Sequence, residues 1–171
     1  MKRMLSFVVV ATLGFASFVT AQTEPPAEEM EMVKRVISLM DHPLSPGLTI
    51  SIVDFRKISR GYPKEIREKI NRSSAFVIGS DPDVIYIDSK GEHFLLAMEG
   101  SDFSSYVLAA ILEHETKHTQ GFTECEAYDR QLKVWEIYMG RGVVTGKPSM
   151  DHAKFFETTR NRFCNAERSG R

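Results

Sequence analysis

The apolar positions of this chain change period several times, and each change marks an element. Over residues 28–40, Val33, Val36, Ile37 and Met40 recur at helical spacing and predict a first helix. Pro43, Pro46 and Gly47 end it. Residues 48–55 alternate and are rich in β-branched side chains, which predicts a strand. Pro63 opens a short charged helix running to Ile70. Residues 75–78 and 84–87 are short β-rich runs, and Gly79-Ser80-Asp81-Pro82 between them predicts a hairpin. Residues 92–98 fit helix and strand equally.

Two longer helices follow. Ser101 or Asp102 can cap a helix that ends near Gly121. Within it Val107, Ile111, His114 and His118 share one face, so two histidines continue its apolar stripe. Thr123 caps a second helix over residues 123–139. Beyond Gly146 the chain is basic and poorly patterned, and no element is predicted there. The expected fold is a small single-domain α+β structure: a short sheet, the histidine helix, and a second helix behind it.

The histidine helix carries the chemistry. His114-Glu115-Thr116-Lys117-His118 sets two imidazoles one turn apart on the same side, where both reach one metal ion. Neutral imidazoles suit one Zn2+, with a third protein ligand and an open position for water. Zinc lowers the pKa of such a water toward about 7 and polarises a carbonyl. Glu115 lies about 100° around the helix from His114 and is the expected general base.

The third ligand should lie downstream, at Glu124 or Glu126. Thr123-x-x-Glu126 is a capping box. In projection Glu126 falls with Arg130 and Lys133 on the polar side. Glu124 falls with Tyr128, Leu132 and Trp135, on the apolar face. A carboxylate there needs a partner, because burying an unpaired charge is costly. Glu124 is therefore assigned as the ligand, with Glu126 as the alternative. Tyr128, one turn past Glu124, is a candidate oxyanion donor. His93 and His152 are candidates for that role by residue type alone. Residues 84–87 are a candidate edge strand for an extended peptide.

The N-terminus and composition narrow the setting. Lys2 and Arg3 precede an apolar run over residues 5–19, and Val19-Thr20-Ala21 offers a cleavage site. Residues 1–21 are read as a signal peptide, residues 22–27 as a flexible leader, and residues 28–171 as the domain. The expectation is an exported protein, periplasmic or secreted, with no stable membrane anchor after cleavage. A net charge of −1 gives no basic excess for nucleic acid. In an oxidising compartment Cys125 and Cys164 are expected to pair.

The motif helix, Gly121 and Glu124 together resemble the zincin metallopeptidases. The spacing from His118 through Gly121 to Glu124 looks like the extended metzincin pattern, whose last position is normally His or Asp. Glu in that place departs from it. A helix restarting there looks more like the gluzincin arrangement. Residues 75–132 are similar to small metallopeptidase-like exported bacterial proteins: Ile85-Tyr86 ending a strand, the motif helix, Glu124, Ala127-Tyr128 and Gln131. The resemblance implies a small twisted sheet over the motif helix, with a cleft between edge strand and second helix.

The leading expectation is thus a zinc-dependent hydrolase acting on a peptide or protein. One alternative is a zincin-like domain that binds metal or a partner without turnover. Glu115 argues against it, since a purely structural site needs no base. Another is a metal-free exported binding protein with both histidines in its core.

Overall fold

The computed structural model describes residues 25–170. The expected signal peptide and residues 22–24 of the expected leader lie outside the described residues. Among those described are seven α-helices and a three-stranded sheet, an α+β fold.

The sheet holds β1 (Thr49–Val53), β2 (Ala75–Ile78) and β3 (Asp81–Asp88), in the order β1-β3-β2. β2 and β3 form the expected antiparallel hairpin. β1 lies parallel to β3, pairing Ser51 with Tyr86. A parallel pair needs a crossover. It is made by α2 (Phe55–Ile58), a 3-10 turn (Ser59–Gly61), α3 (Lys64–Ile70) and β2. Ile85 and Ile87 join the main core, 0% and 2% exposed. On the other face Tyr86 stacks on Phe76, and Phe76 meets Phe55.

Three local expectations are corrected here. The first strand stops at Val53, because the Asp54 carboxylate accepts from the backbone N–H groups of Arg56 and Lys57 and starts α2. Phe55 therefore turns into the interior, 0% exposed, as a helical residue. Residues 84–87 are not an edge: β3 is the central strand, and β2 is an edge strand. β3 also starts earlier than the pattern predicts, at Asp81, across an irregularity between Val77 and Ile78.

The helices enclose one core. α1 (Ala27–Leu39) buries Met32, Val33 and Val36. Residues 92–98 resolve as helix α4 (Glu92–Met98), with Phe94 and Ala97 buried and Leu95 and Leu96 exposed. α5 (Asp102–Thr119) runs through the middle and contacts α1, α4, β2, β3 and α6 (Glu124–Gly140). Its interior is small and apolar where neighbours approach, with Ala109 and Ala110 at 0% exposure. From α6, Val134, Trp135 and Tyr138 fill the same core. The Trp135 indole N–H donates to Ser149 O, and the Tyr138 hydroxyl to Leu39 O, so neither buried polar tip is stranded.

The region after Gly146, expected to be unpatterned, is the longest described helix, α7 (Gly146–Arg168). Only Ser149 and Phe156 of it are buried. So narrow an apolar contact leaves almost no period to read. It lies along α6, tied there by a disulfide between Cys125 and Cys164. Among the described residues no helix is long and apolar enough to cross a membrane.

Candidate metal centre

The end of α5 and the start of α6 bring the motif together. Ser101 caps α5 through Ser104 N–H. α5 closes at Gly121, whose φ of +81° is a left-handed conformation that L side chains rarely adopt. The chain reverses at once and restarts at Thr123. Here the capping box forms as expected: the Thr123 hydroxyl accepts from Glu126 N–H, and the Glu126 carboxylate from Thr123 N–H. Glu126 is thereby occupied with the helix end, and Glu124 faces the histidines.

Three ligand atoms converge. His114 Nε2 and His118 Nε2 lie 3.0 Å apart, and a Glu124 carboxylate oxygen lies 3.6 Å from each. Ligand atoms about 2.1 Å from a tetrahedral zinc stand about 3.4 Å apart. The observed edges bracket that spacing, so the donor set fits a tetrahedral ion with one position open.

The tautomer fits as well. His118 Nδ1 lies 3.2 Å from Phe122 O. A carbonyl only accepts, so Nδ1 carries a proton, and in the neutral ring the Nε2 lone pair is the one left toward the cluster. His114 Nδ1 is buried with no hydrogen-bond partner among the described residues. Its ring is held by packing, edge-on to Tyr128 with centroids 4.4 Å apart.

Charge couples the histidines to the carboxylate. Burial by itself raises the Glu124 carboxyl, but hydrogen bonds and charge from His114 and His118 outweigh it and hold it at about 2. Burial lowers His118, and Glu124, Glu115 and the Phe122 carbonyl together push it above the usual histidine range. The two shifts are one coupling: with no cation between them, the Glu124 carboxylate stabilises a proton on His118.

Glu115 is buried beside them, 7% exposed. Burial pushes its carboxyl up, against the opposing pull of His114 and His118. The Tyr128 hydroxyl is pushed up to about 12 by burial and then by Glu124 and Glu115, so it keeps its proton near neutral pH. Its ring also stacks on Phe163 of α7.

The cluster opens into a cleft of about 550 Å³, bounded by Ala75, Phe76 and Val77 of β2 on one side and Gln131 of α6 on another. Ile111 lies beside the histidines on the same wall, as the shared helix face implies. Two expectations need correction. The Glu124 side chain is 47% exposed rather than buried, because the first turn of α6 sits at the cleft mouth. His93 and His152 do not line the cleft; they pack together near Phe103 and Trp135, their ring centroids 5.5 Å apart.

Two supports escaped the sequence reading. Glu113, buried at 3%, accepts from Arg130 Nε and Nη2 and from the His42 backbone N–H. Arg130 belongs to the side of α6 that the projection marks as polar, yet its side chain is only 13% exposed. An acid directly before the first motif histidine was the one available signal. The second is Glu167 of α7, whose carboxylate accepts from Cys125 N–H and from the Thr123 hydroxyl. Nothing in its sequence neighbourhood announces that role.

Comparison of the chain with known protein families, curated proteins and solved structures finds no match.

Proposed function

We propose that this chain is an exported zinc-dependent hydrolase, and that its substrate is a peptide or protein. The convergence of His114, His118 and Glu124 beside a buried Glu115 carries the reading. His114 and His118 would hold the ion through Nε2, and Glu124 through a carboxylate oxygen. The chemistry a bound zinc supplies is Lewis acidity, toward a water and toward a scissile carbonyl.

The remaining work falls to side chains of this chain. Glu115 takes a proton from the attacking water at its carboxylate and returns it to the leaving amine. Its raised pKa brings it closer to working pH, where a general base is most effective. Tyr128, neutral and adjacent to His114, donates from its hydroxyl to developing negative charge on the substrate oxygen. The apolar side chains of the cleft wall exclude water around the bond that breaks.

The alternatives are less well supported. A structural zinc site is usually closed by four protein ligands, whereas this trio faces a large cleft. Packed core histidines need no shared carboxylate, whereas one Glu124 oxygen lies 3.6 Å from both Nε2 atoms. The zincin-like sequence pattern and a sheet edge beside the motif helix support a peptide substrate. The apolar N-terminus and the Cys125–Cys164 bond support export.

The deciding experiment is zinc analysis of the oxidised mature protein. Stoichiometric zinc, lost in His118→Ala and Glu124→Ala and kept in Glu126→Ala, supports the site. A metal-replete wild type that holds no zinc overturns it.

A further inference from the structure

The loop from α3 into β2 separates two hollows. On one side Arg72, Ser73 and Ser74 line the large cleft that contains the metal-ligand cluster. On the other side the same three residues line a second hollow of about 230 Å³. Its wall is completed by Arg56 of α2, Lys90 after β3, and the acids Asp88 and Glu92.

The charges of this hollow are unevenly engaged. The Asp88 carboxylate accepts from the backbone N–H groups of Phe55 and Lys90 and is committed to holding the loop. Among the described residues the side chains of Arg56, Arg72 and Lys90 form no ion pair or hydrogen bond. Three unpartnered cations therefore border one hollow against the one unengaged acid Glu92, in a chain whose net charge is −1. Arg72 borders both hollows, and in the cleft it is the one lysine or arginine among the described lining residues.

We propose that this hollow is a subsite for a carboxylate on the substrate, with Arg72 as the residue that determines specificity. The inference rests on the hydrolase reading above and names its substrate class: peptides bearing an acidic group. A guanidinium offers paired N–H donors matched to a carboxylate, which lysine or a neutral donor does not. Arg56 and Lys90 add attraction and strengthen at low salt. Phe76, Phe155 and Phe156 line the same cleft and offer apolar contact to the rest of the substrate.

The test uses zinc-loaded, oxidised protein and three fluorogenic dodecapeptides. One has a central Glu and an amidated C-terminus, one has Gln in its place, and one has Gln with a free C-terminus. The expected result is a kcat/KM about tenfold or more in favour of a carboxylate peptide, the scale of a charge-assisted hydrogen bond. The favoured peptide tells whether a side chain or a chain end fills the subsite. In Arg72→Gln, and more weakly in Lys90→Gln, the ratio should fall toward one with zinc content unchanged. Turnover with equal kcat/KM for all three peptides overturns the subsite and leaves the hydrolase standing. Absence of turnover in zinc-loaded protein overturns the hydrolase instead. Fluorescence anisotropy of the labelled peptides on the same protein then decides the subsite. Tighter, salt-sensitive binding of a carboxylate peptide that is lost in Arg72→Gln supports it, and equal binding overturns it.

Discussion

Glu113 sits one residue before the first histidine of the motif, and its carboxylate holds Arg130 of α6 through N–H donors at 3.0 and 2.8 Å. The pair joins α5 to α6 one residue from His114 on one helix and six residues from Glu124 on the other. It ties together the two helices that carry the histidines and Glu124. Its second oxygen accepts from His42 N–H at 2.8 Å, which draws in the loop after α1 as well. Removing Arg130 leaves Glu113 charged and buried, and Arg130→Ala should cost about 3–5 kcal/mol. Replacing both residues by apolar ones of similar size should cost much less. Urea unfolding of the two single variants and the double variant measures the coupling; additive losses would remove the pair from this role.

For the cluster itself, His114→Ala, His118→Ala and Glu124→Ala should each lower zinc affinity by at least tenfold. Glu126→Ala should leave affinity nearly unchanged and cost about 1 kcal/mol of stability, as loss of a helix cap does. Competition with a zinc chelator separates the two effects. An equal affinity loss in Glu126→Ala would reverse the assignment of ligand and cap.

Glu115 and Glu124 should shape the pH profile of the metal-free protein in opposite directions. The folded pKa of Glu115 is raised by burial, so its stabilising contribution is complete below the ordinary carboxylate range. That contribution is lost as pH rises through the folded value. Glu124, held at about 2, contributes above the ordinary range and loses that contribution as pH falls toward 2. Glu115→Gln should therefore raise metal-free stability at pH 7 by about 1 kcal/mol while abolishing turnover and keeping zinc. In a domain of this size that is roughly 3 °C in Tm. A lower Tm for Glu115→Gln at neutral pH would count against a strained buried base.

The Cys125–Cys164 bond closes a separation of 39 residues beside Glu124, the proposed third ligand. Its loop entropy corresponds to about 4 kcal/mol. Paired replacement by serine should lower stability by up to that amount and also weaken zinc binding, because the first turn of α6 loses its tie to α7. Glu167→Gln should show a smaller loss of the same kind. Zinc affinity that survives both changes would confine α7 to a purely structural part.

Tyr128→Phe removes one hydroxyl from the cleft and keeps the ring packed between His114 and Phe163. Zinc content and Tm should hold. The expected change is a fall in kcat of about 100-fold with KM little altered, the effect of losing one oxyanion donor. An unchanged kcat assigns the tyrosine to packing alone.

Much of the local structure was legible in the residues themselves. Helix ends carry their own chemistry, so Ser101, Gly121 and the Thr123–Glu126 capping box could be placed before any packing was known. The spacing of His114 and His118 follows from helical geometry alone. Because Glu126 is consumed by its cap, the choice of Glu124 also came from local rules. Where tertiary packing decides, the pattern was silent or misleading. A helix with a narrow buried stripe, such as α7, gains its stability from α6 and a covalent tie rather than from period. Strand order is set by which edges meet, so β3 became central although its sequence is no different from that of an edge. The exposure of Glu124, the burial of Arg130 and the gathering of Arg56, Arg72 and Lys90 depend on residues far apart in the chain. A helix projection sees one element at a time, and a charged side chain shows its surroundings only once the neighbouring elements have closed around it.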